Sequence, residues 1–346
     1  MRAEQVTGPV AYHGEGPVWS ERWGGLRWVD LLAGDVLSLA AEGTIDRRHV
    51  GNVAAVLRPR RQGGAVIGVE RGFALEEADG TLTHLGELWS DTNVRMNEGG
   101  CDPDGRFYCG SMAYDERPGA GALYRLDPDS SVRVVLENVT ISNGLEWSPD
   151  GSRAYYNDTP TQRIDVFDYE DSESGLTGRR PLAEIPAQTG GPDGLTVDEE
   201  GGVWVALYQG AAVQRYTPDG ILDEVIGVAA KQVTACTFGG QDHNQLFIAT
   251  TREGLEPGED PLAGSLFPGS DGGAFRRWAA NGPRYLHANQ LACRRIRRGC
   301  RPLRSKLPSQ VGEGTLHQPI AGMDKISKQG LFVSSYGRSS TGQTPP

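Results

Sequence analysis

Four short stretches of the sequence begin with a carboxylate or amide side chain closely followed by glycine. They start at Glu15 (EGPVW), Asn97 (NEGGC), Asn143 (NGLEW) and Asp193 (DGLTV). If the fold brought these oxygen donors together, they would repel one another and stay poorly satisfied without a positive charge between them. The set therefore predicts one divalent cation, and its hard oxygen ligands suit Ca²⁺, Mg²⁺ or Mn²⁺, with Zn²⁺ also open.

Each of these stretches, taken alone, has a simpler interpretation. Asn143-Gly144 and Asp193-Gly194 are both typical turn dipeptides, and Pro192 strengthens the turn interpretation of the second. The recurrence of an oxygen donor at four equivalent positions favours a site.

The positions are equivalent because the sequence repeats. Six stretches share the same order of a polar or small residue, an apolar strand, a Gly/Asp turn and a second apolar strand, and they start at residues 15, 54, 97, 143, 193 and 234. Each has the alternation and turn of a β-hairpin, and the segments between them supply further strands. A repeat of 40 to 50 residues with four strands is typical of a β-propeller.

We therefore predict an all-β fold, a six-bladed β-propeller with four-stranded antiparallel blades, in which the last blade is incomplete if the chain lacks its final strands. An irregular β-sandwich is the alternative. In a propeller the first strand of each blade lines a central channel, so Glu15, Asn97, Asn143 and Asp193 would meet at one mouth of that channel.

The net charge is distributed unevenly along the chain. The protein has 34 Lys and Arg against 45 Asp and Glu, yet residues 275–346 carry a net charge of +11 and residues 1–274 a net charge of −22. The acidic body argues against nucleic-acid binding and is compatible with a cation site. We predict a propeller domain over 1–274 and a basic tail over 275–346 that is foreign to the domain or disordered; an RNA-binding arm is the alternative.

The cysteines and the hydropathy of the chain indicate in which compartment the protein is expected to work. The five cysteines form no C-x-x-C pair, and no apolar run of 18 residues occurs. We expect a cytoplasmic protein, without a membrane or nucleic-acid partner, that acts as a monomer on a small molecule.

Several motifs in order resemble the regucalcin/gluconolactonase family. They are HGEGPVW from His13, RMNEGGC from Arg95, ISNGLEW from Ile141, GPDGLTV from Gly191 and ACTFGG from Ala235. The resemblance covers residues of about 10 to 270. It implies a six-bladed propeller that binds one divalent cation in its channel and hydrolyses sugar lactones.

The resemblance also implies roles for individual residues. The metal ligands would be Glu15, Asn143 and Asp193. Arg95 and Asn97 would face the substrate together with Glu98, which stands where the family often has Asp. For Arg95 a surface ion pair is the alternative.

The implied reaction is metal-dependent hydrolysis of an aldonolactone to the sugar acid. The cation polarises the carbonyl, and Asp193 serves as general base, as metal ligand, or as both. Two alternatives are a calcium-binding propeller without turnover, acting as buffer or scaffold, and a promiscuous esterase.

Three further residues lie close to these motifs. His13 is two residues before Glu15, and a solvated loop histidine is the favoured interpretation over contact with the site. Trp19 and Tyr114 are candidates for shaping the pocket, although we favour core packing for Trp19.

Overall fold

The described part of the chain consists of β-strands joined by tight turns. The structure, a computed structural model, describes residues 5–40, 42–170 and 175–269. In those residues the chain forms 23 strands and four single-turn 3-10 helices, and no helix there is long and apolar enough to cross a membrane. The predicted domain boundary at 274 and the basic segment 275–346 lie outside the described residues.

The strands follow the predicted repeat and form six antiparallel sheets in chain order. The first two sheets consist of β1 Gly14–Ser20, β2 Gly25–Asp30, β3 Asp35–Leu39 and β4 Ile45–His49, then β5 Ala54–Pro59, β6 Ala65–Val69, β7 Gly72–Glu76 and β8 Leu82–Glu87. The next two consist of β9 Val94–Cys101, β10 Phe107–Ala113, β11 Gly121–Leu126 and β12 Val132–Val139, then β13 Ser142–Trp147, β14 Arg153–Asp158, β15 Arg163–Tyr169 and β16 Leu176–Glu184. The last two consist of β17 Gly191–Val197, β18 Val203–Tyr208, β19 Ala212–Tyr216 and β20 Leu222–Gly227, then β21 Val233–Gly239, β22 Gln245–Thr250 and β23 Leu266–Gly269. The 3-10 helices are Glu21–Trp23, Leu31–Ala33, Thr159–Thr161 and Ala187–Thr189.

The first strand of each sheet lies innermost, in a closed ring. The strands β1, β5, β9, β13, β17 and β21 each contact the first strand of the next sheet, and β21 contacts β1. β9 and β13 are buried along their whole length, whereas the outer strands β4 and β8 are largely exposed, as their polar sequences require. This arrangement confirms the six-bladed β-propeller.

Apolar side chains fill the gap between each pair of neighbouring blades. One cluster joins blades 3 and 4 through Tyr108 and Trp147, and another joins blades 5 and 6 through Trp204 and Ile248. A further cluster, which includes Trp28, packs blade 6 against blade 1. Since each sheet buries both faces against its neighbours, apolar burial closes the ring.

The N-terminal segment joins the last blade to the first. In the described residues blade 6 has three strands, where the repeat predicted four. The Val6 N–H donates to the Leu266 carbonyl at 2.9 Å, and the Leu266 N–H donates to Thr7 Oγ1 at 3.0 Å, so the segment lies beside the outer strand β23. At the inner ring, Thr234 Oγ1 donates to the Gly14 carbonyl at 2.6 Å.

Two glycines allow the inner strands to approach one another closely. A Cβ atom on Gly144 would lie 2.6 Å from the Leu195 nitrogen, and one on Gly194 would lie 2.6 Å from the Ala235 Cβ. The dipeptides Asn143-Gly144 and Asp193-Gly194 are therefore parts of strands β13 and β17, and the turn interpretation was wrong.

We expect Gly194→Ala to destabilise the propeller because its methyl group has no room between β17 and β21. Overpacking of this kind costs about 1–3 kcal/mol, which lowers the melting temperature of a domain of this size by several degrees. Thermal unfolding followed by circular dichroism measures the change. Gly8→Ala is the control, since a Cβ there has nothing within 4 Å; equal melting temperatures for the two variants would contradict the prediction.

Candidate metal centre

Each inner strand breaks its pairing register near its first residues. The break lies between Glu15 and Val18 in β1, between Ser142 and Leu145 in β13, and between Pro192 and Leu195 in β17. At each of these breaks two residues stand opposite one, which is a β-bulge, and a bulge redirects a side chain out of the regular alternation. The predicted ligands Asn143 and Asp193 are the first of the two bulged residues in their strands, whereas Glu15 is the last paired residue before the bulge formed by Gly16 and Pro17.

The other three blades carry the same irregularity with different residues. In β9 the two bulged residues are Asn97 and Glu98. In β5 the extra residue at the break is Ala55, and in β21 it is Thr234. Alanine offers no donor, and the Thr234 hydroxyl is engaged with Gly14. Four of the six blades thus present an oxygen donor to this end of the channel, which we call the channel mouth.

Three buried carboxylates converge at the channel mouth. One carboxylate oxygen from each of Glu15, Glu98 and Asp193 lies within 4.8 Å of the other two. The side chains are only 4–5% exposed although they come from blades 1, 3 and 5. We call these three residues the acidic cluster.

The Asn143 amide lies beside the acidic cluster with its oxygen available. Asn143 Nδ2 donates to Thr159 Oγ1 at 3.0 Å, and Thr159 Oγ1 donates to the Pro192 carbonyl at 2.8 Å. Among the described residues, Asn143 Oδ1, Glu98 Oε2 and Asp193 Oδ1 are buried without a hydrogen-bond partner. Such atoms are costly to bury unless a further group binds them.

The charges of the acidic cluster disfavour its ionised state. Burial, followed by the charges of Glu15 and Glu98, raises the pKa of Asp193 well above its usual range, while the Asn143 side chain and the Gly194 N–H offset part of that rise. Burial and the charge of Glu15 also raise the pKa of Glu98. A cation between the carboxylates would favour their ionised forms and so lower these pKa values.

The donor set fits a hard divalent cation. The available atoms are carboxylate and amide oxygens, which Ca²⁺, Mg²⁺ and Mn²⁺ prefer. Oxygens within 4.8 Å of one another can share one Ca²⁺, because Ca–O bonds of about 2.3–2.6 Å place opposite ligands up to about 5 Å apart.

Arg95 and Asn97 lie together beside the acidic cluster. The Arg95 side chain is buried, which rules out the surface ion pair, and its Nη1 donates to Asn97 Oδ1 at 2.6 Å. Asn97 Nδ2 donates to the Ser142 carbonyl at 2.8 Å. The guanidinium carbon lies 5.7 Å from the ring centroid of Tyr114, which is 45% exposed at the channel mouth.

His13 and Glu253 complete the channel mouth. The His13 ring is buried, so the solvated-loop interpretation was wrong: Nε2 lies 3.8 Å from Glu15 Oε1 and Nδ1 lies 2.6 Å from Glu253 Oε2. Burial lowers the pKa of His13, but the two carboxylates outweigh burial and the net shift is upward. Burial raises the pKa of Glu253, but His13 and Arg95 reverse that shift and keep the carboxylate ionised.

The structure confirms the prediction for Trp19 and adds Glu253, which the sequence analysis did not name as a site residue. Trp19 stacks on Phe247 with ring centroids 5.8 Å apart, which confirms core packing between blades 1 and 6. Glu253, which follows β22, was not predicted as a site residue.

The raised pKa of Asp193 leads to a prediction for the cation-free protein. The folded pKa lies above the unfolded value of about 3.9, so ionisation removes stability as the pH rises from that value towards the folded pKa. We expect Asp193→Asn to raise the melting temperature of chelator-treated, dialysed protein at pH 8, and to change it little near pH 4.

Asp165→Asn is the matched control, because Asp165 is equally buried but pairs with Arg163 and Arg179. That variant should lose stability at pH 8. A lower melting temperature for Asp193→Asn than for wild type at pH 8 would show that the cluster is not under electrostatic strain.

Comparisons with known proteins agree with the propeller fold and identify the family. The family model described as the SMP-30/Gluconolactonase/LRE-like region matches residues 13–252. Regucalcin of Danio rerio is 35% identical over 262 residues, which are 73% of this chain and 89% of that protein. A solved structure of a calcium-binding protein, regucalcin, from Agrobacterium tumefaciens is similar with a TM-score of 0.72 and 28% identity, covering 77% of this chain and 92% of that one. The solved gluconolactonase of Xanthomonas campestris has a TM-score of 0.63 and 25% identity, with coverages of 76% and 87%. This chain therefore belongs to the SMP-30/gluconolactonase/LRE-like family.

Proposed function

We propose that this protein hydrolyses a sugar lactone to the free sugar acid in a reaction that depends on one divalent cation. An aldonolactone such as glucono-, xylono- or arabinono-lactone is the expected substrate. The observation that carries the proposal is the convergence of the acidic cluster and the Asn143 oxygen at the channel mouth. The gluconolactonase among the structural relatives supports the choice of reaction.

Glu15, Asn143 and Asp193 would hold the cation. When bound there, a divalent cation supplies a Lewis acid for the lactone carbonyl and lowers the pKa of a nearby water molecule. Asn143 is suited to this role because the hydrogen bond from its Nδ2 to Thr159 leaves its oxygen available. Glu15 is fixed by the Gly16 N–H, which donates to Oε2 at 3.1 Å.

Asp193 is the residue we propose as general base. Its carboxylate has one oxygen without a hydrogen-bond partner among the described residues, so the carboxylate could accept a proton from an attacking water molecule. The same side chain thus serves as base and as ligand.

Arg95 and Asn97 would face the substrate, and the resemblance to the family implies the same role for Glu98. Arg95 is anchored by Asn97, and its planar guanidinium can donate to hydroxyl or ring oxygens of the lactone. Tyr208 adds a further donor, because burial and the charges of Glu253 and Asp193 raise its pKa to about 12 and keep the phenol protonated.

A calcium-binding propeller without turnover is the second candidate function. The calcium-binding regucalcin among the structural relatives favours it. A buffer or scaffold needs no buried guanidinium beside its ion, so the position of Arg95 favours an enzyme.

We expect Asp193→Ala to abolish lactone hydrolysis, because the change removes a ligand and a base whose acid–base contribution alone is about 10²–10⁴-fold. Acid release from a panel of aldonolactones, corrected for spontaneous hydrolysis and repeated with EDTA, measures the rate. Asp165→Asn should keep turnover near the wild-type rate. Wild-type turnover in Asp193→Ala, or activity that survives complete metal removal, would refute the mechanism.

We expect Asn143→Ala to weaken cation binding by at least about tenfold, because a directly bound oxygen is lost. Isothermal titration calorimetry of chelator-treated protein with Ca²⁺ and Mn²⁺ measures the affinity. Thr161→Ala is the control: its hydroxyl bonds to the Asp158 carbonyl in the 3-10 helix that also carries Thr159. An unchanged affinity in Asn143→Ala would exclude Asn143 as a ligand.

A further inference from the structure

Blade 3 offers two neighbouring side chains to the channel mouth, and they are used differently. The bulge in β9 places both Asn97 and Glu98 opposite a single residue of β10. The resemblance to the family assigns both to the substrate. We propose that Glu98 is instead a fourth protein ligand of the cation, whereas Asn97 is not a ligand; this rests on the cation site of the proposed function.

Both the oxygen and the nitrogen of the Asn97 amide form a hydrogen bond within the protein. Its oxygen accepts from Arg95 Nη1 at 2.6 Å, and its nitrogen donates to the Ser142 carbonyl of blade 4 at 2.8 Å. The amide therefore ties blade 3 to blade 4 and orients the guanidinium. Binding of the Asn97 oxygen to a cation would bring that cation next to the positive charge of Arg95, which is unfavourable.

Glu98 has the opposite pattern of contacts. The residue is 5% exposed, and one of its carboxylate oxygens lies within 4.8 Å of oxygens of Glu15 and Asp193. Its Oε2 has no hydrogen-bond partner among the described residues. A buried carboxylate that has an oxygen without a hydrogen-bond partner, and that is directed at two other carboxylates, is placed to bind a cation.

Arg58 of blade 2 fixes the backbone that carries Glu98. Its guanidinium is buried, and Nη2 donates to the carbonyl of Gly99, the residue after Glu98, while Nη1 donates to the Leu57 carbonyl at 2.8 Å. Because this contact comes from the neighbouring inner strand, it holds the β9 bulge in place. Glu98 is therefore directed at the cluster by a rigid support, as a ligand should be.

A fourth ligand changes which cation the site prefers. Glu15, Glu98 and Asp193 supply three negative charges, and the amide of Asn143 supplies a neutral oxygen. Ca²⁺ and the trivalent lanthanides accept many carboxylates, whereas Mg²⁺ keeps several of its waters and is bound by one or two. We expect Ca²⁺ and Tb³⁺ to bind at least about 100-fold more tightly than Mg²⁺.

The test uses the full chain, freed of metal by chelation and dialysis. Ca²⁺ titration by calorimetry gives the affinity of wild type, Glu98→Gln and Glu98→Ala. The luminescence lifetimes of bound Tb³⁺ in H₂O and D₂O give the number of water molecules on the ion. Glu76→Gln is the matched control, a buried glutamate on β7 that pairs with Arg27 and Arg48.

We expect Glu98→Gln to lose at least about tenfold in Ca²⁺ affinity, and Glu98→Ala to add one or two waters to bound Tb³⁺, with Glu76→Gln like wild type in both measurements. An affinity within about threefold of wild type in Glu98→Gln, with the same water count in Glu98→Ala, overturns the assignment while the proposed function stands. Failure of wild type to bind any cation overturns both. If Glu98→Ala does not fold by circular dichroism, the Ca²⁺ affinity of Glu98→Gln decides.

Discussion

Three carboxylates buried within 4.8 Å of one another are the feature on which the rest of this propeller depends. When the carboxylates are ionised, their mutual repulsion and loss of hydration destabilise the folded state. The same two effects raise the pKa values of Glu98 and Asp193. A cation bound between them would turn the same residues into a source of stability, as any ligand that binds only the folded state does. Folding and cation binding would in this sense be coupled.

The architecture brings these residues together through a repeated local irregularity. A regular strand directs alternate side chains into the packing between blades, whereas the bulges in β9, β13 and β17 change that alternation at Glu98, Asn143 and Asp193. Glycines such as Gly144 and Gly194 then let neighbouring strands approach closely enough for the side chains to meet. The closed ring fixes the distances, because blade 6 packs on blade 1 and the N-terminal segment spans both.

Much of this was predictable from the sequence, for a physical reason. Turn residues and apolar alternation recur with the blade repeat, so the six blades and the equivalence of Glu15, Asn143 and Asp193 could be inferred without coordinates. The bulges could not, since an Asn-Gly or Asp-Gly pair at a break in register has the same sequence as a turn dipeptide. The interpretation of Asn143-Gly144 as a turn was wrong for that reason: the dipeptide that favours turns also suits a bulge that needs a close backbone contact.

The residues missed by the sequence prediction share a position in the blade. In an antiparallel pair, the end of the second strand lies beside the start of the first. Residues at or just after the second strands therefore also lie at the channel mouth. Thr159, Tyr208 and Glu253 were missed in this way, whereas Tyr114 was named as a candidate for shaping the pocket. The burial of His13 depends on its pairing with Glu253, and no local pattern indicates that two segments about 240 residues apart will meet.

Anomalous diffraction from crystals of the protein grown with Mn²⁺ tests the central claim most directly. The account predicts a single strong anomalous peak at the channel mouth, in bonding contact with oxygens of Glu15, Asn143 and Asp193. A channel mouth without a peak in crystals that hold Mn²⁺ elsewhere, or a peak bound by other residues in place of these three, would contradict it.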